Sequence, residues 1–328
     1  MSVVLETPQQ SLRLVQQELE LRWSVSQDRL DEMSQHALLP TGKLLRPLLL
    51  LESAAAVGGD RTKVLPAALA VEYLHGASLI HDDIIDGDRM RRGRQSVMAR
   101  YGVEDAIVTG DSLFMMSVTA LAECAERGVP AAAVVTALHL LGTAGVLLCR
   151  GQIAESQQQG VLDMGVSAYL SMIDWKTGAL FRAACVTGCV LGEGSVAQRK
   201  TLDLYAHHVG NAFQMYDDLL PYLREITTTG KSAESDLANG RPTFPVLVGY
   251  EMADRVRQAE ISALLRGGSA DALDRMSELL HGMGAIERAR RYATEEAHRA
   301  IDALAGLPVS PSTEFLASVA RLCVDRDC

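Results

Sequence analysis

The sequence has little of what marks several large classes of protein. Only 5% of its 328 residues are aromatic, and its six cysteines form no Cys-x-x-Cys pair. The cysteines are Cys124, Cys149, Cys185, Cys189, Cys323 and Cys328. Most of them lie inside apolar runs, which is typical of reduced core thiols rather than of a disulfide framework. Cysteine usage therefore predicts a cytoplasmic protein.

An excess of positive charge is also missing. The chain carries 41 acidic and 31 basic residues, which gives a formal net charge of −10. An acidic surface repels nucleic acid and anionic lipid, so a site for an anionic ligand needs a local cluster of bases or metal ions. Nucleic acid is therefore excluded as a predicted partner.

A clear membrane or export segment is not evident. The N-terminus carries Glu6 and lacks the apolar core segment of a signal peptide. The uncharged stretch 129–149 is long enough for a membrane span, but it contains Pro130 and glycines and has no Trp or Tyr anchors. The middle of a large helical bundle needs an apolar helix of this kind. The sequence therefore favours a buried central helix and no stable membrane insertion.

Strand signals are weak, whereas helical periodicity runs through almost the whole chain. Apolar residues recur at three- and four-residue spacing, and glycine-rich breakers separate the periodic segments. The predicted helices cover 6–35, 44–57, 63–85, 105–127, 131–159, 166–191, 197–220, 243–251, 254–265, 270–282 and 286–304. No stretch has the composition of a domain linker. The sequence therefore predicts one all-α domain over residues 1–328.

The most informative motif is an acidic cluster at the end of an apolar helix. Asp82 and Asp86 are four residues apart, which places them on one helix face about 5.4 Å apart along the axis. Mg²⁺ prefers one or two carboxylates together with substrate phosphates, and the nearby Arg91 and Arg92 suit an anionic phosphate. A solvated acidic helix end is the alternative. Against it, the aspartates follow the apolar run 64–80 and should therefore lie at the rim of a buried region.

A second acidic pair repeats this arrangement. Asp217 and Asp218 also end an apolar helix, and the bases Lys231 and Arg241 follow them. Two such pairs, each followed by bases that suit phosphate, predict a metal-dependent site for a phosphate ester more strongly than either pair does alone.

Together these motifs resemble the trans-prenyltransferase family, which includes farnesyl, geranylgeranyl and longer polyprenyl diphosphate synthases. The resemblance runs in order from about Gly42 to Leu247. It comprises Gly-Lys-Leu-Leu-Arg-Pro at 42–47, Asp-Asp-Ile-Ile-Asp at 82–86, Arg-Arg-Gly at 91–93, Gly-Asp-Ser-Leu at 110–113, Gly-Gln at 151–152, Lys-Thr-Gly-Ala-Leu-Phe at 176–181 and Gly-Asn-Ala-Phe-Gln-Met-Tyr-Asp-Asp at 210–218. It implies a homodimer of all-α subunits, each a single large helical bundle around a deep central cavity, the type I isoprenoid synthase fold. The motif-bearing core covers about 42–247, and C-terminal helices cover 248–328.

The resemblance also implies an activity and a cofactor. The implied reaction is head-to-tail condensation of isopentenyl diphosphate with an allylic diphosphate, by ionisation, condensation and elimination. The implied cofactor is Mg²⁺, with three ions when substrate is bound. Its ligands are Asp82, Asp86 and Asp217, and Asp83 and Asp218 act behind them.

The remaining site residues follow from the same resemblance. The isopentenyl diphosphate site corresponds to Lys43, Arg46, His75 and Arg92, and the allylic diphosphate contacts correspond to Arg91, Lys176 and Lys231. Thr177 and Gln214 line the cation path, and Phe213 belongs to the substrate-binding set. Asp82, Asp83, Asp86, Lys176, Thr177, Gln214 and Asp217 form the expected catalytic group.

One position departs from the family pattern. The second acidic motif normally ends in a third aspartate, and here Pro221 takes its place. Proline cannot donate the helical hydrogen bond, so the helix is expected to kink or end there.

Two alternative functions stay open. One is a terpene cyclase on the same fold, which would lose the isopentenyl site. The other is a non-catalytic partner subunit, which need not keep Asp82, Asp83 and Asp86.

Product length is expected to depend on the helix that carries Asp82. Early-stopping family members often place an aromatic residue four or five positions before the first aspartate, where this chain has Ser78 and Ala77. The next turn offers Leu74 and Tyr73, and Phe114 and Met115 on a facing helix could close the same level. An open first level predicts a product longer than farnesyl diphosphate, with geranylgeranyl diphosphate favoured and longer polyprenyl products left open.

Overall fold

The computed structural model describes residues 7–223, 239–267 and 271–325. Helices dominate these ranges, and the only strands in the described part form one short hairpin. The predicted all-α class is confirmed. The chain packs as two compact units. The first comprises Met1–Gly145, Leu180–Asp203 and Leu304–Leu316, and the second comprises Val146–Ala179, Leu204–Ala303 and Ala317–Cys328.

Residues 7–157 fold into helices and the short hairpin. In chain order, its elements are α1 (Pro8–Arg22), α2 (Arg29–Leu38), α3 (Leu45–Ala56), α4 (Arg61–Asp86), β1 (Met90–Arg91), β2 (Arg94–Gln95), α5 (Val97–Tyr101), α6 (Val103–Glu126) and α7 (Ala131–Gln157). Within the first unit, α4 packs most extensively against α6 and also against α3. The side chain of Asp60 caps the start of α4 by accepting a hydrogen bond from Thr62 N, and Gly87 ends it in the left-handed conformation.

The later elements complete both units. They are α8 (Gly165–Ile173), a π-helical turn (Asp174–Gly178), α9 (Ala179–Leu191), α10 (Val196–Leu219), a 3₁₀ turn (Leu220–Tyr222), α11 (Phe244–Met252), α12 (Arg255–Gly267), α13 (Ala272–Gly282), α14 (Ala285–Ala303), a 3₁₀ turn (Leu304–Gly306) and α15 (Pro311–Val324). The core of the second unit includes Tyr169, Met215, Leu219, Phe244 and Leu280. As predicted, α10 ends just before Pro221, and the chain continues as a 3₁₀ turn.

The prediction of one N-terminal helix over 6–35 is wrong. α1 ends at Arg22 and α2 begins at Arg29, because Asp28 caps the second helix by accepting a hydrogen bond from Asp31 N. Trp23 is buried between them and packs edge-on against Tyr73. Likewise, the helix predicted over 166–191 is interrupted by the π-helical turn. Helix α5 and the hairpin had no counterpart in the prediction, whereas α15 falls within the region 248–328 that was expected to hold C-terminal helices.

The prediction that 129–149 forms a buried central helix is also wrong. One face of α7 is buried, through residues such as Val134, Ala137 and Leu141, but the opposite face exposes Val135, which is 66% accessible, and Val146. α6 and α7 are both long and apolar enough to cross a membrane by length and composition. That is weak evidence for a span, because helices of soluble proteins often meet the same criterion.

Candidate functional site

The predicted metal ligands of the first unit lie on the last turns of α4. Asp82 and Asp86 are half-buried, whereas Asp83, one residue along, is only 2% exposed. The Asp83 carboxylate accepts hydrogen bonds from Arg91, with distances of 2.6 Å from Nε and from Nη2. Burial raises the pKa of Asp83 to about 6, and the Arg91 charge opposes that shift. The helix therefore directs adjacent aspartates into different environments.

A tight hairpin carries the two arginines that follow the aspartates. The loop between β1 and β2 is Arg92 and Gly93, with φ angles of 51° and 77°, as a type I′ turn requires. The left-handed conformation is strained for arginine. The Arg92 side chain lies over Gly42, where an added Cβ would come within 2.7 Å of Arg92 Nη2. Glycine at 42 therefore leaves room for this guanidinium beside Lys43, which is exposed.

Arg46 and His75 form the centre of a half-buried polar cluster in the first unit. Arg46 Nη1 lies 3.1 Å from His75 Nε2, and the guanidinium stands 4.6 Å from the ring centre of Phe181. Burial and then the charges of Arg46, Arg92 and Arg91 hold the pKa of His75 well below its ordinary value. Because arginine only donates, His75 Nε2 must accept, which is possible only for a neutral imidazole.

Glu72 is an acidic member of this cluster that was not predicted from the sequence. It is buried one turn before His75, and burial raises the pKa of its carboxyl group while Arg92 and Arg46 lower it. Its carboxyl group is therefore within electrostatic reach of both guanidinium groups. A single charged residue inside the apolar run 64–80 was the available signal.

The residues expected to limit product length occupy several sides of α4. Ala77 is buried, Ser78 donates to the carbonyl of His75, Leu74 approaches Gly145, and the Tyr73 ring meets Trp23.

Two residues of α6 were also expected at the level of Leu74 and Tyr73. Phe114 contacts the ring of His81, and its role in limiting product length stays a prediction. Met115 is 65% exposed and does not face the interior of this unit.

In the second unit, Asp217 and Asp218 are both at least partly exposed, and Asp218 is surrounded by three hydrogen-bond donors. Asp217 is half-buried. Asp218 accepts hydrogen bonds from Tyr169 OH at 2.7 Å, from Phe244 N at 2.9 Å and from Gln214 Nε2 at 2.9 Å. Burial raises the pKa of Asp218 to about 6, and these donors oppose the shift.

The π-helical turn holds the other predicted residues of the second unit. Lys176 Nζ donates to Glu155 Oε2 at 2.5 Å, and Arg241 Nε lies 3.7 Å from the same oxygen. Thr177 is buried, and its hydroxyl donates to Gln214 Oε1 at 2.8 Å. Thr177, Gln214 and Asp218 therefore form one hydrogen-bonded chain. Phe213 is half-buried beside Gln214, and Lys231 lies outside the described residues.

Glu155 is a second residue that was not predicted from the sequence. It lies four residues after Gly151, whose missing side chain lets α7 approach the backbone of Lys176. In this state Glu155 neutralises a lysine predicted to contact diphosphate. The signal was a lone carboxylate one turn after the Gly-Gln motif at 151–152.

The carboxylates fit Mg²⁺ that arrives with a phosphate ligand. Among the described residues, no three His, Cys, Asp or Glu side chains form a ready-made metal cluster. Asp82 and Asp86 offer hard oxygen donors from one helix face, and Asp217 offers another in its own unit. Mg²⁺ commonly takes one or two carboxylates and completes its octahedron with phosphate oxygens and water.

Comparison with known proteins adds independent findings. The sequence profile described as Polyprenyl synthetase matches residues 27–282. An octaprenyl diphosphate synthase from Haemophilus influenzae is 31% identical over 287 residues, which cover 87% of this chain and 85% of the relative. A short chain isoprenyl diphosphate synthase from Methanothermobacter thermautotrophicus is 33% identical over 303 residues, 92% of each protein. A crystal structure of geranylgeranyl pyrophosphate synthetase from Pyrococcus horikoshii is 30% identical, with a TM-score of 0.89 over 98% of this chain and 97% of that one.

The hydrogen bond from Tyr169 to Asp218 predicts a measurable stability effect. Tyr169→Phe keeps the ring packed against Phe244 but removes one donor from the half-buried carboxylate of Asp218. We expect unfolding of the metal-free protein at pH 8 to become easier by about 1.5–3 kcal/mol. Tyr250→Phe is the matched control, because its hydroxyl donates to Asp163 at an exposed site and should cost much less. Equal losses for the two variants in urea denaturation would contradict a special role for the buried bond.

Proposed function

The chain belongs to the polyprenyl synthetase family, and we propose that it joins isopentenyl diphosphate head-to-tail to an allylic diphosphate to give geranylgeranyl diphosphate. Family membership makes it a prenyltransferase of trans-prenyl diphosphate synthesis, with those two classes of substrate. The proposal adds the product, the residues that act and the metal.

The main support for a condensation reaction is the cluster of basic residues around His75. Isopentenyl diphosphate must keep its diphosphate, so its site needs cations without metal ions that would activate the leaving group. Arg46 and Arg92 lie close to the neutral His75, with Lys43 next to Gly42 on the exposed side. A cyclase acting on one allylic diphosphate has no use for this second anion site. A non-catalytic partner subunit need not keep Asp82, Asp83 and Asp86, and this chain has all three.

Ionisation of the allylic diphosphate is the step that needs the other residues. Asp82 and Asp86, and Asp217 in its own unit, would hold Mg²⁺, which would supply positive charge for the departing pyrophosphate. In the second unit, Lys176 exchanges Glu155 for a diphosphate oxygen, and Lys231 adds a further cation. The oxygens of Thr177 and Gln214 stabilise the allylic cation. Released pyrophosphate accepts the proton lost in the last step, so no protein base is needed.

Product analysis with a substitution at the first aspartate tests this function. Purified protein with Mg²⁺ should elongate an allylic diphosphate only when isopentenyl diphosphate is present. Asp82→Ala should lower turnover by about 10²–10³-fold, because it removes a group that stabilises charge in the transition state. Asp163→Ala, a carboxylate whose side chain bonds Tyr250, is the control. Cyclic products formed without isopentenyl diphosphate would support the cyclase, and normal turnover by folded Asp82→Ala would exclude the metal role.

The small residues of α4 support a product longer than farnesyl diphosphate. Ala77 and Ser78 leave the first level below the aspartates without a large side chain, and Leu74 lies one turn deeper. Because α4 advances about 5.4 Å per turn, a chain that ends at Leu74 has one helical turn more space than a chain stopped by an aromatic residue at position 77. That space suits an added isoprene unit. Geranylgeranyl diphosphate is the product that best matches one extra turn.

Refilling this level should shorten the product. Ala77→Phe places an aromatic ring five residues before Asp82 and should shift the main product toward farnesyl diphosphate. It should also cost about 1–3 kcal/mol in stability through overpacking. Chromatography of the dephosphorylated products measures the shift, with Ala77→Ser as the control of similar volume. An active Ala77→Phe enzyme with the wild-type product distribution would place the limiting residue elsewhere.

The exposed faces of α6 and α7 support the homodimer. Exposed residues follow three- and four-residue spacing on both helices, as at a helix–helix seam. They include Val108, Met115 and Val118 on α6, and Val135, Val146 and Ile153 on α7. Two apolar stripes of this length are unusual on a monomer's surface and typical of an interface. We propose that a second copy of the chain covers these residues, because most soluble oligomers are symmetric homo-oligomers.

A charge on this face should separate the subunits. Met115→Glu introduces a carboxylate into the α6 stripe, and two-fold symmetry would bury two of them at the interface. We expect light scattering to show a dimer for the wild type and a monomer or a concentration-dependent mixture for the variant. Val309→Glu, at an exposed apolar residue outside both stripes, should leave the mass unchanged. A monomeric wild type would contradict the proposal.

A further inference from the structure

The π-helical turn Asp174–Gly178 carries Lys176 and Thr177, and it is held at two points by α10. At one of them, Thr177 Oγ1 donates to Gln214. At the other end of the turn, Asp174 Oδ1 lies 2.8 Å from His207 Nδ1. His207, Asn211 and Gln214 are spaced by four and three residues, so they share one face of α10. The turn is therefore fastened at its first and its fourth residue to side chains two helical turns apart.

The proton positions on His207 follow from its neighbours. Asn211 Nδ2 lies 3.3 Å from His207 Nε2 and 3.3 Å from Glu296 Oε2. The amide nitrogen donates, so Nε2 carries the lone pair and Nδ1–H points at Asp174. Asn211 is buried, and its Oδ1 has no hydrogen-bond partner among the described residues. The amide orientation that supports His207 therefore leaves one buried acceptor unsatisfied.

Asp174 is also confined from within the turn. A Cβ on Gly178 would lie 3.1 Å from Asp174 Oδ1, so the carboxylate folds back over a residue that has no side chain. A π turn is rare and is kept where the surrounding structure stabilises it. An α-helical alternative would rotate the side chains after the turn by roughly 100° for each residue removed. Lys176 and Thr177 therefore depend on the anchoring of Asp174 for their directions.

We propose that His207 is a positioning residue, which holds Asp174 so that the π-helical turn presents Lys176 and Thr177 to the allylic diphosphate. His207 itself touches no substrate. The expected effect of His207 on catalysis rests on the proposed function. Its effect on the conformation of the turn does not. Misplacement of reacting groups by about 1 Å can cost up to about 10²-fold in rate.

The kinetic test compares two neighbouring histidines. His207→Ala should lower kcat/KM for the allylic substrate by about 10-fold to 10²-fold and leave KM for isopentenyl diphosphate unchanged. His207→Asn, whose amide nitrogen replaces Nδ1 as a donor, should restore most of the loss. In a Lys176→Ala background, His207→Ala should cause a smaller loss than in the wild type, because only the Thr177 contribution then remains to be lost. His208→Ala is the matched control, because His208 Nδ1 bonds Glu296 at 2.8 Å and not the turn. Equal kinetic losses at the two histidines would overturn the proposal.

A second measurement does not depend on activity. The chain has two tryptophans, and Trp175 lies in the turn with 39% of its surface exposed. In a Trp23→Phe background, Trp175 fluorescence should be quenched more strongly by acrylamide and have lower anisotropy after His207→Ala, but not after His208→Ala. Unchanged Trp175 signals would overturn the anchor. An inactive wild type with the expected Trp175 response would instead overturn the proposed function and leave the anchor standing.

Discussion

A carboxylate withdrawn from water must keep its hydrogen-bond donors, and this constraint organises the candidate residues within each of the two units. Adjacent residues on a helix point about 100° apart, so one aspartate of each pair faces inward when the other reaches the rim. Asp83 recruits Arg91, and Asp218 recruits Tyr169, Gln214 and the backbone of Phe244. The inward aspartates fix elements that carry other functional groups. Arg91 ties down the hairpin of Arg92, and Gln214 also receives the hydroxyl of Thr177.

Much of this arrangement could be predicted from the sequence, because long helices repeat their apolar residues over many turns. The bounds of α4 and α10 and the end of α10 before Pro221 follow from that period and from proline chemistry. The acidic motifs could also be recognised, from the spacing of their aspartates at the ends of apolar helices. The hairpin is too short to show alternation, and the π turn adds a single residue to a turn without interrupting the apolar pattern. Features that depend on one hydrogen bond, such as the cap at Asp28, need coordinates.

The misinterpretation of α7 has a different origin. Composition measures how much apolar surface a helix has, and it contains no information about what covers that surface. An uncharged helix is consistent with burial in its own chain, in a second copy or in lipid. Because α7 has an accessible apolar stripe, its exposed face is not buried within its own chain. Glu72 and Glu155 illustrate the converse case: a charged residue is visible in the sequence, but its partners are not.

The hairpin turn at Arg92 has a consequence for how this protein can change. Only glycine, asparagine and aspartate adopt a φ of 51° readily, and each of them would relieve strain of about 1–2 kcal/mol. None of them carries the positive charge that Arg92 brings to the cluster around His75. Stability and the proposed binding of diphosphate therefore place opposite demands on this position. Selection for heat tolerance alone would favour loss of the arginine, whereas the proposed function requires it.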